Sequence, residues 1–216
     1  AAKKFPALKL IVGSELSLES LPYIGLLSIN RKGYGLMCRL LSASHEGREK
    51  GEAALSWVRF TEFLQDPRYQ EGREGLIALP HWYEKSEKFF DYDELTQIFE
   101  DRIYFPLFRA IDGKDHERTD EALRLSRHYG VPLLATADPH FHRRERRNLQ
   151  DALVSIRENT PLDQVGAGLF SNAERYLKSP RQMQKLFSDL PEAIQASVDI
   201  AERCTFSCSE LRYYYP

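Results

Sequence analysis

Val131-Pro-Leu-Leu-Ala-Thr-Ala-Asp-Pro-His-Phe-His142 is an apolar run that ends in a carboxylate and two imidazoles, and Arg143-Arg-Glu-Arg-Arg147 follows at once. Such a run is how a buried strand delivers polar side chains to a site. In α/β folds, ligands bind beyond the carboxyl ends of the strands, where side chains leave the core and meet water. Asp138 and His140 alternate in an extended chain, so both point to one side. An Asp-x-His pair suits a divalent metal such as Zn²⁺ or Mn²⁺, the carboxylate supplying charge and the imidazole a softer nitrogen. A strand-end Asp that caps the next helix, beside surface histidines, would read the same way.

Working outward, Glu117 to Tyr129 reads as a helix, and Gly130 supplies the left-handed residue that closes it. Downstream, the spacing predicts a helix from about Arg143 to Glu158, with Leu149, Ala152, Leu153 and Ile156 on its buried face. Residues 160–180 read as irregular polar chain. Two more helices follow, around Ser179 to Phe187 and from Pro191 to about Cys204, where Pro191 suits a first helical position.

In the first half, Ala7 to Val12, Tyr23 to Ile29 and Gly75 to Leu79 read as strands, as does Ile103 to Phe108, which Pro106 confines to an edge or irregular position. Gly13-Ser-Glu15 reads as a tight turn that presents a carboxylate at the end of the first strand. Tyr34, Met37, Cys38 and Leu41 form one apolar helical face, Trp57, Phe60, Phe63 and Leu64 another, and Asp93 to Asp101 is expected to be helical. About five strands alternating with helices predict a parallel sheet with helices packed outside, open or closed as a barrel.

Composition sets the class. The 216 residues are 42% hydrophobic and 29% charged, which is ordinary for a globular chain able to bury a sizeable core. A net charge of −2 argues against bulk attraction to nucleic acid and leaves room for local patches. The three cysteines form no disulfide framework, and the spacing of Cys204 and Cys208 lacks the second pair of a zinc knuckle. No run reaches membrane-spanning length and no signal peptide opens the chain, so a cytoplasmic location and no membrane partner are expected. The cluster Arg143, Arg144, Arg146 and Arg147 crowds cations at a helix start, where the dipole disfavours them. A phosphate backbone, an acidic protein face, or plain solvent would each account for it. His142 belongs with that cluster as a candidate DNA or phosphate contact. His45, His116 and His128 read as surface residues.

Several stretches carry a resemblance. Gly13-Ser-Glu15, Lys32-Gly-Tyr-Gly-Leu-Met-Cys-Arg-Leu-Leu41, Gly75-Leu-Ile-Ala-Leu79 and Leu134-Ala-Thr-Ala-Asp-Pro-His140 resemble successive blocks of the PHP (polymerase and histidinol phosphatase) domain. More narrowly, they are similar to the version at the N-terminus of bacterial C-family DNA polymerases, the DNA polymerase III alpha class. Later blocks extend the likeness: Leu149-Gln-Asp-Ala-Leu153, Asn172-Ala-Glu-Arg-Tyr-Leu-Lys-Ser179, Pro191-Glu-Ala with Ile200-Ala-Glu-Arg-Cys204, and Glu210-Leu-Arg-Tyr213 near Tyr215-Pro216. The last block, with His140-Phe-His142, resembles the error-prone branch.

The resemblance implies a distorted (β/α)7 barrel with a metal cluster at its strand ends. Here that barrel would be incomplete, lacking its first two strand units and their metal-binding histidines, over residues 1–160. A C-terminal helical extension, 161–216, would lead toward a polymerase palm outside this chain. Carried over singly, Glu15 matches the acidic ligand after the third strand, and Asp138 and His140 match the Asp-x-His pair. Tyr23 stands where metal-binding members have a histidine, and His81 follows the position of a frequent cysteine. One weakly bound divalent ion, Zn²⁺ or Mn²⁺, is the most this set implies, with Mg²⁺ expected for the parent polymerase.

The function implied is that of the N-terminal region of an error-prone DNA polymerase. It would serve as a scaffold with a degenerate metal site and no catalysis of its own, with DNA and the palm as partners. Open strand edges would favour self-association. The alternatives are a free-standing metal-dependent phosphoesterase of the same superfamily and a non-enzymatic interaction module.

Overall fold

The computed structural model describes residues 8–49, 52–83 and 89–212. The chain forms two compact units: residues 1–106, 125–132 and 198–216 make the first, and residues 107–124 and 133–197 make the second. Residues 161–197, expected to belong to an extension, therefore lie in the same unit as the Asp138 region.

Strands β1 (Gly13–Leu16), β2 (Ile24–Ser28) and β3 (Leu76–Pro80) form the sheet of the first unit. Both pairings are antiparallel, with Gly13 opposite Leu27, and Ile24 opposite Pro80. This corrects the parallel sheet expected from the alternation of strands and helices. A strand covered on both faces reads as a continuous apolar run whichever way its neighbours point. The short 17–23 connection is too brief for a parallel crossover, which needs a dozen residues or so. The first strand is also displaced. Leu8 and Leu10 are exposed, and pairing runs from Val12, whose carbonyl accepts from the Ser28 amide at 2.8 Å, through Leu16. Glu15 thus lies within β1, not in a turn beyond it; Ala7 falls outside the described residues.

Helix α1 (Arg31–His45) begins where Asn30 caps it, its side-chain oxygen accepting from the amides of Lys32 and Gly33 at 2.9 and 3.0 Å. The buried stripe is Gly33, Leu36, Met37, Leu40 and Ser44, rotated from the expected face of Tyr34, Met37, Cys38 and Leu41. Gly33 decides the rotation, because it lies against Gly75 at the start of β3. Tyr34 instead stacks on Phe206 at 4.6 Å. Helices α2 (Trp57–Gln65) and α3 (Gln70–Glu74) precede β3, and α4 (Tyr92–Phe99) follows it. Phe60, Leu64, Leu95, Phe99 and Phe105 are wholly buried with Leu16, Ile24, Leu26, Leu40, Leu76 and Ile77, and they form the core of the first unit.

Strand β4 (Phe105–Phe108), helix α5 (Asp115–Tyr129) and strand β5 (Leu133–Thr136) follow, and β4 and β5 make a two-stranded sheet. Gly130 adopts the expected left-handed conformation at φ +67. Helix α6 (Arg147–Arg157) comes after a short 3-10 turn, Arg144–Arg146. Its apolar face is not the buried one: Leu149, Leu153 and Ile156 are 53%, 53% and 74% exposed, and only Val154 is buried. Helical spacing shows that such a face exists and says nothing about what covers it. Helices α7 (Pro180–Leu186), with a Ser179–Gln182 capping box, and α8 (Pro191–Arg203) complete the order.

Candidate functional site

Strand β5 stops at Thr136, and two residues later the backbone of Asp138 turns into the left-handed region at φ +40. Asp and Asn tolerate that conformation better than most residues. The turn, and not strand alternation, brings the pair together: His140 Nε2 lies 3.7 Å from Asp138 Oδ1. Beyond it, residues 140–142 run alongside 175–177, joined by a parallel bridge from Phe141 to Tyr176. The amide of His140 donates to the Arg175 carbonyl at 2.9 Å, and the amide of Leu177 to the Phe141 carbonyl at 3.2 Å.

This pairing carries a side chain into the site that sequence reasoning did not single out. Arg175 Nη1 donates to Asp138 Oδ2 at 2.6 Å and lies 3.4 Å from His140 Nε2. The guanidinium is held over two rings, Phe108 at 4.6 Å and Phe170 at 4.5 Å, and the His140 ring packs on Phe170 at 4.7 Å. Guanidinium on an aromatic face is favourable, the more so when partly desolvated. Phe108 also carries Arg118, at 4.1 Å, whose charge is met by Asp112 and Asp115 at 2.8 and 2.7 Å. Arg175 stood inside the Asn172–Ser179 block, beside Tyr176, but in a stretch read as irregular polar chain, and nothing there marked it as a site residue.

The rest of that stretch is fastened with equal care. Asn172 Nδ2 donates to the carbonyls of Ala110 and Ile111 at 2.7 and 2.8 Å. Lys178 is nearly buried, 3.8 Å from Glu174 and 4.4 Å from the Tyr176 ring. Burial pulls its ammonium below the usual lysine value, against the opposing pull of Glu174.

The basic cluster divides in two. Arg144 pairs with Glu174 at 2.7 Å and covers the Tyr176 ring, while Arg147 donates to the Phe170 carbonyl at 2.6 Å and sits 3.4 Å from Asp151. These two explain cations at a helix start without any ligand. His142, Arg143 and Arg146 are exposed and form no ion pair among the described residues.

In the first unit, the exposed Glu15 carboxylate lies 3.7 Å from His81 Nε2. Tyr23 is exposed, and its carbonyl accepts from the His81 amide at 3.0 Å.

A divalent ion on Asp138 and His140 would have to share their space with the Arg175 guanidinium. Like charges at such a distance repel strongly in a partly dry site, and a zinc site wants three or four protein ligands. Among the described residues, no three or more His, Cys, Asp or Glu side chains gather as a group able to hold an ion. The residues as arranged do not fit Zn²⁺ or Mn²⁺.

No protein-family profile matches the chain. Individual relatives do. Error-prone DNA polymerase 1 of Agrobacterium fabrum is 35% identical over 211 residues, covering 96% of this chain and 18% of the polymerase. The error-prone DNA polymerase of Pseudomonas fluorescens is 36% identical over 217 residues, 100% of this chain and 20% of the polymerase. That of Brucella abortus is 32% identical over 216 residues, 99% of this chain and 19% of the polymerase. The chain is related to error-prone DNA polymerases. The likeness runs through both units, and the chain spans about a fifth of the length of these curated relatives. Among the described residues, no helix is long and apolar enough to cross a membrane.

Proposed function

We propose that this chain is the N-terminal PHP region of an error-prone DNA polymerase, an incomplete barrel that scaffolds a palm lying outside it. The observation that carries the reading is the likeness to polymerases of that name over nearly the whole chain and only a fifth of their length. In the parent, the reaction is template-directed DNA synthesis across lesions, with Mg²⁺ and the nucleotidyl-transfer carboxylates on the palm. This region contributes position. Its metal site is degenerate: Asp138 and His140 remain, and Arg175 lies on both.

The same reading gives His142, Arg143 and Arg146 a partner. Exposed basic side chains without internal counter-charges are what a phosphate backbone recruits, and the contribution of the arginines weakens steeply with salt. Replacing all three with Ala should lower the parent's affinity for primed DNA at low salt and flatten its salt dependence.

The test of the scaffold reading is a primer-extension assay on the purified chain with Mg²⁺ or Mn²⁺, beside the chain fused to a polymerase palm. Extension is expected only from the fusion. Extension by the chain alone, abolished by a substitution within it, would overturn the reading. Turnover of a nitrophenyl phosphodiester with Mn²⁺, lost in Asp138→Ala, would favour a free-standing phosphoesterase instead.

A further inference from the structure

We propose that Arg175 is the resident cation of the Asp138–His140 site, a guanidinium built into the chain where an ion would otherwise sit. The proposal stands on the geometry of these side chains and holds whichever longer protein the chain belongs to.

Three independent features converge on the guanidinium. The first is charge: Nη1 reaches Asp138 Oδ2 at 2.6 Å, a short charge-assisted hydrogen bond. The second is position. His140 Nε2, the nitrogen that would face an ion, lies 3.4 Å from the same Nη1. The third is enclosure. Phe108 and Phe170 lie 4.6 and 4.5 Å from the guanidinium carbon, and the Arg175 side chain is 20% exposed. A surface arginine that happened to touch an aspartate would not also be held over two rings.

The backbone delivers it on purpose of the same kind. The carbonyl of Arg175 accepts from the amides of both His140 and Phe141, at 2.9 and 3.3 Å. Main chain and side chain of one residue therefore hold the 138–141 turn at two points. Asn172 anchors the arginine's own segment to the 110–111 carbonyls, so the guanidinium arrives from a fixed base.

Arginine suits this task better than lysine. Its planar fork can bond a carboxylate while its faces lie on aromatic rings, whereas an ammonium is a hydrated point charge. Once placed, it neutralises the Asp138 carboxylate that an ion would need. A divalent ion chelated by both Asp138 oxygens could bind only after the guanidinium had left Oδ2.

The decisive experiment is Mn²⁺ binding to the wild-type chain and to Asp138→Asn, read by the loss of the free-ion EPR signal. Mn²⁺ is chosen because it avoids the free thiols of Cys38 and Cys208. The two proteins should deplete the signal equally. Uptake of one equivalent by the wild type and none by Asp138→Asn would overturn the proposal. A second readout is nitrogen-15 NMR of the arginine side chains. The Arg175 Nη groups should give separate, slowly rotating resonances in the wild type that collapse in Asp138→Asn. Resonances already averaged in the wild type would equally overturn it. Arg175→Lys keeps the charge and loses the fork and the stacking, and should lower Tm by about 4 °C or more. A Tm unchanged by Arg175→Lys would mean that the charge alone matters and the built cage does not. Each result concerns the side chains of one unit, so the polymerase reading can fail without touching it.

Discussion

Gly33 in α1 rests on Gly75 so closely that a Cβ at position 33 would lie 1.7 Å from the Gly75 carbonyl oxygen. That oxygen is already engaged, accepting from the Ile29 amide at 2.9 Å, so it cannot withdraw without breaking the start of β3. Gly33→Ala should therefore destabilise the first unit by about 3 kcal/mol, at the upper end of overpacking costs. Gly35, two residues on and on the exposed face of the same helix, has nothing within 4 Å of its would-be Cβ. Gly35→Ala should stabilise by about 0.5–1 kcal/mol through helix propensity alone. Urea midpoints of the two variants, moving in opposite directions, check the contact.

Arg118 joins two carboxylates within a largely buried pocket, its side chain 10% exposed beside Asp112 at 18% and Asp115 at 25%. Burial pushes the Asp112 carboxyl up, and the hydrogen bonds from the Lys114 amide and Arg118 more than reverse it, leaving it below the usual range. Arg118→Ala leaves both acids facing each other and should cost about 3 kcal/mol. Arg118→Lys should recover less than half of that loss, because one ammonium cannot reproduce the fork. Thermal melts at neutral pH decide.

Arg109 grips Asp189 through two parallel bonds of 2.6 and 2.8 Å and holds its carboxyl below the usual range. A lowered folded-state value means stability that is present above the unfolded value, about 3.9, and lost as pH falls through the folded one. Asp189 is 59% exposed, so the effect should not exceed about 1 kcal/mol. Stability measured from pH 6 downward should show the wild type's advantage over Asp189→Asn fading only below about pH 4. An advantage that persisted at pH 2 would assign it to packing.

Strand β1 is the edge of its sheet, and an edge strand presents unpaired backbone groups as a template for another chain. Sedimentation velocity on the purified chain should show a coefficient that rises with concentration. Leu153→Glu, on the exposed face of α6, should leave that rise unchanged. Its disappearance in this variant would place the association on the helix.

Local signals were legible where one residue type answers one local need. Gly130 closed α5 and Pro191 opened α8, and the polar end of the 131–142 run lies at the candidate site. Strand direction was not legible, because Ile24 and Leu26 are apolar whether their neighbours run up or down. Nor was the burial of α6, whose stripe of Leu149, Leu153 and Ile156 has the period of a core face and faces outward. The candidate site was half legible. Asp138 and His140 stand two apart in sequence, whereas Arg175 comes from a segment with no period to betray its fold.

A counter-charge that is part of the chain is supplied at a concentration set by loop length and not by the surroundings. Asp138 meets Arg175 when the 172–178 segment docks, once per molecule. No chelator can strip it, no competing ion can mis-load it, and no delivery step stands between synthesis and the finished turn. With Arg175 as the resident cation proposed above, a melting curve in EDTA should overlay one without it.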